Sequence, residues 1–197
     1  MRACVWTAVL TIIANTAAGR VDAQWYVGLG LTVTHYGGAA RDTSGNPNAR
    51  PGDATMVGVR FERSVGHARV GLHLSYGKPG LSLTGHGLTI TDRTAGQLIE
   101  AAAPVTFRVG GIGPSGAVRA EVGPTLHLWK VGDEIRSRVG ASGGVAYEWS
   151  VTGRFLGVIR TEGMLSKSWF DKNDLPPEYV RRMTWRYGVS LGVSYRL

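Results

Sequence analysis

The last eleven residues of the chain, 187–197, alternate strictly between two kinds of side chain. The odd positions are apolar or aromatic: Tyr187, Val189, Leu191, Val193, Tyr195 and Leu197. The even positions are small or polar: Gly188, Ser190, Gly192, Ser194 and Arg196. Because successive side chains of a β-strand point to opposite faces, this period of two predicts a strand with two unlike faces.

The same alternation recurs along the chain and predicts eight strands, at 24–36, 54–63, 68–77, 97–109, 117–129, 134–150, 154–165 and 179–197. Short connections (64–67, 110–115, 151–153) alternate with longer ones (37–53, 78–96, 166–178), and only 130–133 departs from this order. An even number of strands in such a meander can close into an antiparallel up-and-down barrel. Pro104 and Pro124 fall within predicted strands, and each predicts a bulge or a local break because proline lacks the N–H donor.

The polar face of these strands mixes long charged side chains with glycine. Glycine weakens a strand that faces water, whereas in a narrow lumen it leaves room for long neighbours. We therefore expect the polar face to line the lumen of a transmembrane β-barrel, with the apolar face toward lipid. The predicted lumen charge network comprises Arg60, Glu62, Arg69, Glu100, Arg108, Arg119, Glu121, Arg136, Arg138, Glu148, Arg160, Glu162 and Arg186.

Aromatic residues of the apolar face fall near strand ends, as in the aromatic girdles of membrane barrels. The meander predicts one girdle at the rim that carries the chain termini: Trp25, Phe61, Phe107, Tyr147, Trp149, Phe155 and Tyr195. It places a second set nearer the opposite rim: Tyr76, Trp185 and Tyr187. A soluble periplasmic barrel remains the alternative fold.

The N-terminal segment has the pattern of a secretory signal peptide. Arg2 precedes a short apolar run, 5–14, and Val21-Asp22-Ala23 resembles a cleavage site, which predicts a signal at 1–23 and a barrel domain at 24–197. A buried N-terminal helix is the alternative. Removal of 1–23 takes away two arginines and one aspartate and lowers the net charge from +8 to +7. It also removes Cys4, the only cysteine, so neither a disulfide nor a cysteine metal site is expected.

The exported N-terminus, the Trp25-Tyr-Val-Gly-Leu-Gly-Leu31 strand, the eight-strand meander and the ending Gly192-Val-Ser-Tyr-Arg-Leu197 resemble the small outer-membrane β-barrels typified by OmpA and OmpX. The family often ends in Phe or Trp, whereas this chain ends in Leu197. The resemblance implies that the protein lies in the bacterial outer membrane with both termini in the periplasm. It also implies that the C-terminal strand helps to direct the chain to the barrel-insertion machinery. The family includes adhesins, structural anchors, narrow pores and a few lipid A-modifying enzymes, so membership leaves the function open.

An eight-stranded barrel is just wide enough for side chains to fill its interior. With Arg196 added, the inward face would hold nine arginines and five glutamates. Buried charges must be paired or hydrated, so we expect an Arg–Glu network that fills the lumen of a monomeric, non-enzymatic protein with a structural or surface-interaction role. A narrow ion or small-solute pore with a preference for anions is the alternative.

Catalysis has weak support in the sequence. His73 and Ser75 share one face, and lipid A deacylases of the barrel type use a His/Ser pair, but this pair is predicted to face the lumen rather than lipid. No catalytic, metal or cofactor site is expected, because the other histidines show no ligand spacing.

The expected partner surface is lipid. The basic residues are not clustered as nucleic-acid binding would require. The predicted partners are outer-membrane lipid and, through loop cations, the phosphates of lipopolysaccharide. These cations are Lys78, Lys130, Lys167, Lys172, Arg181 and Arg182, and ordinary solvated loop charge is the alternative interpretation.

Overall fold

A computed structural model describes residues 24–42, 48–85, 88–113, 115–171, 177 and 179–197. The predicted signal at 1–23 and Lys172 lie outside these residues. The described part contains twelve strands: β1 (Trp25–Asp42), β2 (Asn48–Pro51), β3 (Ala54–Val65), β4 (Ala68–Gly77), β5 (Leu81–Gly85), β6 (Leu88–Asp92), β7 (Gln97–Ala102), β8 (Val105–Gly110), β9 (Gly116–Val131), β10 (Glu134–Thr152), β11 (Phe155–Ser166) and β12 (Tyr179–Arg196). Within it, no helix is both long and apolar enough to cross a membrane.

Eight strand positions, which we call staves, form a closed ring in which every pairing is antiparallel, and one stave is divided into two short strands. In chain order the staves are β1, β3, β4, β7 with β8, β9, β10, β11 and β12. The first and last strands close the ring, from Tyr26 opposite Arg196 to Asp42 opposite Tyr179. The predicted eight-stranded up-and-down barrel is therefore confirmed.

The fourth stave is interrupted at Ala103 and Pro104, between β7 and β8, as the proline predicted. The break predicted at Pro124 is wrong, because β9 continues through it. Pro124 lies opposite the interruption, where its carbonyl oxygen accepts a hydrogen bond of 3.1 Å from the N–H of Ala103. Because the N–H and C=O of one strand residue point to the same side, the missing donor of Pro124 faces the place where the neighbouring stave is already broken.

The sheet extends beyond the barrel at the end opposite the termini. β1 continues to Asp42 past an irregularity between Gly38 and Ala40, where Gly38 and Ala39 have φ angles of 76° and 73°. Its upper part pairs with β2, β2 pairs with β5, and β5 pairs with β6. The described parts of the segments 37–53 and 78–96, which were expected to be connections, therefore form a small outer sheet.

Side-chain burial is inverted relative to a soluble barrel. On β1, the apolar Leu31 is 55% exposed on the outside, whereas its neighbour Thr32 is 7% exposed on the inside. The other staves repeat this pattern, with exposed apolar residues outside and buried charged residues inside. Such a band of apolar side chains is the lipid-facing surface of a transmembrane β-barrel, so the soluble alternative does not fit.

Candidate functional site

The candidate site is the lumen, which contains three layers of charged side chains. The inner layer lies nearest the termini and centres on Glu148, which pairs with Arg69 at 2.8 Å and with Arg119 at 2.7 Å. The guanidinium of Arg69 also lies 3.7 Å from the ring centroid of Tyr26, within cation–π distance. Glu62 approaches Arg69 at 3.5 Å. Glu148 of β10 thus binds one arginine of the adjacent strand β9 and one of β4, which is not its neighbour in the ring.

The middle layer is organised by Glu121. Both of its carboxylate oxygens accept hydrogen bonds from Arg60, at 2.9 and 3.0 Å, and one accepts a further bond from Arg160 at 3.1 Å. A bidentate arginine–carboxylate pair constrains both planes as well as the distance. The middle layer therefore ties β3, β9 and β11 together across the lumen.

The outer layer is the most deeply buried. Arg186 donates to both oxygens of Glu100, at 2.8 and 3.0 Å, and to Glu162 at 2.9 Å. Nε2 of the fully buried His127 lies 3.0 Å from a carboxylate oxygen of Glu100. The outer layer therefore combines one arginine with two glutamates.

These layers hold ten of the thirteen predicted network residues, five arginines and five glutamates, so their formal charges cancel. The other predicted inward arginines lie outside the three layers. Arg108 and Arg196 are exposed at the end that carries the termini. Arg136 and Arg138 lie at the opposite end, where β10 extends beyond the ion pairs. The anion preference expected of a pore was based on an excess of inward arginine over glutamate. The three layers contain no such excess.

A small cavity lies beside the inner and middle layers. This cavity of about 40 Å³ is lined by Gly28, Gly30, Gly58, His73 and Arg160, among others. This volume is sufficient for only a few water molecules. A β-carbon at Gly58 would lie 2.5 Å from Nε2 of His73, so this glycine leaves room for the imidazole ring.

An apolar cluster covers the outer layer on the side away from the termini. We call it the outer plug, and its members are Tyr36, Met56, Leu98, Trp129, Met164 and Trp169. The rings of Trp129 and Trp169 stack with centroids 5.0 Å apart, and Tyr36 meets Trp129 edge-on at 6.1 Å. Arg186 contacts the sulfur of Met56 at 3.3 Å, so the plug rests directly on the ion pairs.

Arg138 forms hydrogen bonds to the segment after β11, which contains Trp169 of the outer plug. Its guanidinium donates to the carbonyl oxygens of Ser168 at 2.7 Å and Trp169 at 3.2 Å, and to the carboxylate of Asp171 at 2.8 Å. Ser168 in turn donates to the carbonyl oxygen of Ala39 at 2.7 Å. The chain after β11 is therefore fastened to both β10 and β1.

Sequence reasoning missed the plug, although part of its signal was present. Tyr36 and Trp129 continue the polar faces of β1 and β9, so an aromatic ring on that face could have indicated an apolar layer inside the lumen. Trp169 gave no such signal, because it follows β11 in an irregular segment.

The predicted interface aromatics lie on the outside of the barrel, and several form pairs. Phe155 and Tyr195 have ring centroids 5.0 Å apart, and Tyr147 stacks with Trp149 at 5.7 Å. Of the opposite set, Trp185 stacks with Tyr187 at 5.9 Å. Their role at the membrane interface stays a prediction.

A polar cluster lies at the outer end of β1. The carboxylate of Asp53 accepts from Arg50 at 2.7 Å, contacts Nδ1 of His35 at 2.9 Å and accepts from the backbone N–H of Tyr36 at 3.3 Å. Burial alone would raise the pKa of Asp53, but the hydrogen bonds from Arg50 and His35 outweigh it and lower this pKa below its ordinary value.

The His73 and Ser75 side chains are buried within the lumen and do not reach the lipid-facing side. In the described part of the chain, no group of three His, Cys, Asp or Glu side chains has an arrangement that could hold a metal ion.

No protein-family model matches the chain, and no curated protein sequence matches it. Solved structures do. Neisserial surface protein A is 12% identical over 88% of this chain and 97% of its own, with a TM-score of 0.56. The N-terminal β-barrel domain of Pseudomonas aeruginosa OprF (14% identity, 87% and 97%, TM-score 0.47) and Yersinia pestis Ail, the attachment invasion locus protein (10%, 90% and 100%, 0.46), also match. The chain has the fold of the small eight-stranded outer-membrane β-barrels, the group that its sequence resembles.

Proposed function

We propose that this protein is a non-enzymatic outer-membrane barrel with a closed lumen, which serves a structural role or interacts with partners through its outer surface. The observation that carries the proposal is the combination of a charge-balanced lumen and an apolar plug above it. An ion that crossed would have to separate ion pairs in three layers, two of which contain a bidentate pair, and displace stacked tryptophans. The membrane location, the periplasmic termini, the monomeric state and insertion by the barrel machinery are parts of the same proposal.

The experiment has two readouts on the same purified chain. Refolded protein should show the heat-dependent gel shift of a transmembrane barrel, and it should give no conductance steps in a planar bilayer. A matched variant, Trp129→Ala with Glu121→Gln, should begin to conduct because it removes part of the plug and the centre of the middle layer. Regular steps from the unaltered protein would contradict the closed lumen.

A narrow pore is the second candidate, and the cavity among Gly30, His73 and Arg160 favours it. Under this alternative, a rearrangement of the ion pairs would join the cavity to both ends. Because the layers contain equal numbers of arginine and glutamate, such a pore should show little preference for anions. Conductance that changes ion preference in Arg160→Gln would favour it.

A lipid A-modifying enzyme is the remaining alternative from the sequence. Burial of His73 and Ser75 in the lumen argues against these residues as its catalytic pair. The mass of lipid A should be unchanged when the protein is deleted or overproduced, and a changed mass would contradict the non-enzymatic assignment.

A further inference from the structure

A cavity of about 650 Å³ lies outside the lumen, beside the outer end of the barrel wall. One side is formed by the upper parts of β1 and β12, and the other by β2 and the β5–β6 hairpin. The outer sheet thus creates a recess on the side of the barrel rather than a cover over its mouth. The volume falls within the range of pockets that bind small molecules.

The described lining of this recess is rich in arginine. Arg41, Arg50 and Arg182 line it, and none of the described residues that line it carries a carboxylate. Asp53, next to the recess, offsets one of these charges through its ion pair with Arg50. Three arginines from β1, β2 and β12 therefore converge on one space, and guanidinium groups match the geometry of phosphate oxygens.

The recess adjoins the lipid-facing surface. Trp185 and His35 line it and form a tilted ring contact with centroids 6.1 Å apart on the outside of the barrel. Trp185 then stacks on Tyr187, which lies further along the lipid-facing side of β12. Tryptophan favours the headgroup level of a membrane, so a molecule that enters the recess from the lipid side would keep its chains against this surface.

The remaining polar lining suits a headgroup that carries hydroxyls. Asn48, Thr84 and Thr89 supply an amide and two hydroxyls on the side opposite β12. Thr84 and Thr89 lie across the β5–β6 hairpin from one another, with their oxygens 3.2 Å apart. Amide and hydroxyl groups both donate and accept, so they can pair with sugar hydroxyls next to a phosphate.

We propose that the recess binds the phosphorylated headgroup of a lipid of the outer leaflet, of the lipopolysaccharide type. The inference rests on the proposed function in one respect, namely that this end of the barrel faces the outer leaflet. Arg41 and Arg182 contact the phosphate, Asn48 and the two threonines contact the sugar, and the acyl chains lie along Trp185 and the apolar band.

The test uses the full refolded chain in detergent micelles, titrated with bisphosphorylated lipid A and followed by native mass spectrometry. The unaltered protein should retain one lipid A. Arg182→Gln and Arg41→Gln should each weaken retention about tenfold, since each removes a charge-assisted hydrogen bond. Arg181→Gln is the matched control, because it removes the same charge from the neighbouring position of β12, outside the lining; its effect should stay within about twofold.

Two further probes identify the source of the phosphate. Lipid A without phosphates should bind weakly, and inorganic pyrophosphate should not compete at equal concentration, because it lacks the acyl chains. Competition by pyrophosphate on equal terms would assign the recess to a soluble anion and overturn the proposal. An equal loss in Arg181→Gln and Arg182→Gln would also overturn it, because binding would then follow total charge.

Every variant is first checked for the heat-dependent gel shift, so that only folded protein is compared. Arg182 is exposed, so its substitution should leave the barrel intact. If the shift is present and lipid A is not retained, the recess proposal fails while the closed barrel stands. If the unaltered chain shows no shift, the failure belongs to the proposed function.

Discussion

Trp169, which follows β11, stacks on Trp129 of β9 with ring centroids 5.0 Å apart and an angle of 28° between the ring planes. The contact joins an irregular segment to a stave of the barrel. It completes an apolar layer directly above the ion pair between Arg186 and Glu100. The lumen is thus closed by two different interactions in series, hydrophobic packing above and charge pairing below.

The first prediction concerns the plug. Trp169 is 3% exposed, so Trp169→Ala should lower the free energy of unfolding by about 3 kcal/mol through lost burial and a new cavity. Urea unfolding in lipid vesicles, followed by the gel shift, measures the change. Trp25→Ala is the control, because Trp25 is 48% exposed on the lipid-facing side, and it should cost less. Equal losses would show that Trp169 is not packed as described.

The second prediction concerns Arg138, whose planar guanidinium reaches two carbonyl oxygens and a carboxylate. Lysine has a single ammonium and cannot span these three acceptors, so Arg138→Lys should loosen the segment after β11. Trypsin should then cut after Lys167 about tenfold faster, which corresponds to about 1.4 kcal/mol. Arg154→Lys is the control, because Arg154 lies in the turn between β10 and β11 at the end that carries the termini, away from this segment, and it should leave the rate unchanged. Identical rates in the two variants would contradict the role of Arg138.

The third prediction is a double-mutant cycle on Arg186 and Glu100. Removal of one partner leaves a buried charge without its counter-ion, so Arg186→Met or Glu100→Gln alone should cost roughly 3–5 kcal/mol of unfolding free energy. The double variant should cost less than the sum, because neither charge remains. Additivity within about 0.5 kcal/mol would indicate that the two side chains do not interact.

The fourth prediction tests the interruption of the fourth stave. A β-carbon at Gly123 would lie 2.5 Å from the carbonyl oxygen of Ala103 and 2.8 Å from Cα of Pro104, both backbone atoms that cannot easily move. Gly123→Ala should therefore destabilise the barrel by about 1–3 kcal/mol. Gly163→Ala is the control, because its β-carbon would meet no atom closer than 4.0 Å. A neutral effect of Gly123→Ala in urea unfolding would contradict the close approach.

The fifth prediction concerns pH. The pKa of Asp53 is lowered in the folded protein, so its carboxylate contributes stability above its unfolded pKa of about 3.9, and this contribution is lost as the pH falls through the lower folded value. The stability difference between the unaltered protein and Asp53→Asn should therefore be present at neutral pH and shrink in acid. Urea titrations at several pH values measure it. A difference that grows on acidification would contradict the assignment.

Much of the barrel could be predicted from the alternation of side chains, because one face meets lipid and the other meets the lumen along every stave. Pro104 also marked the break in the fourth stave correctly, since a missing N–H acts locally. The outer sheet was missed because β2 has only four residues and includes Pro51, too short a run for a period to show. Its existence depends on pairing with the end of β1 that extends past the barrel, which is a tertiary effect.

The sequence predicted which charged residues face the lumen, but not which arginine pairs with which glutamate. Alternation places Arg60 and Arg138 on the same kind of face, yet only Arg60 lies in the three layers, whereas Arg138 lies where its strand extends past them. The height of a residue along the barrel axis depends on register and strand tilt, which one sequence does not reveal. Prediction of the outer plug would have required the same heights along the axis, together with the path of the chain after β11.

The seam between β1 and β12 has a consequence for how the barrel assembles. Tyr26 pairs with Arg196, so this seam joins residues about 170 positions apart, the largest separation in the ring. Contacts of such high contact order form slowly, because the chain between them must first be brought into a closed loop. Until then both strands present unpaired N–H and C=O groups, which the interior of a bilayer cannot solvate. Until the ring closes, the unpaired edges of β1 and β12 therefore need to be kept away from the lipid interior, and this need is greatest just before closure.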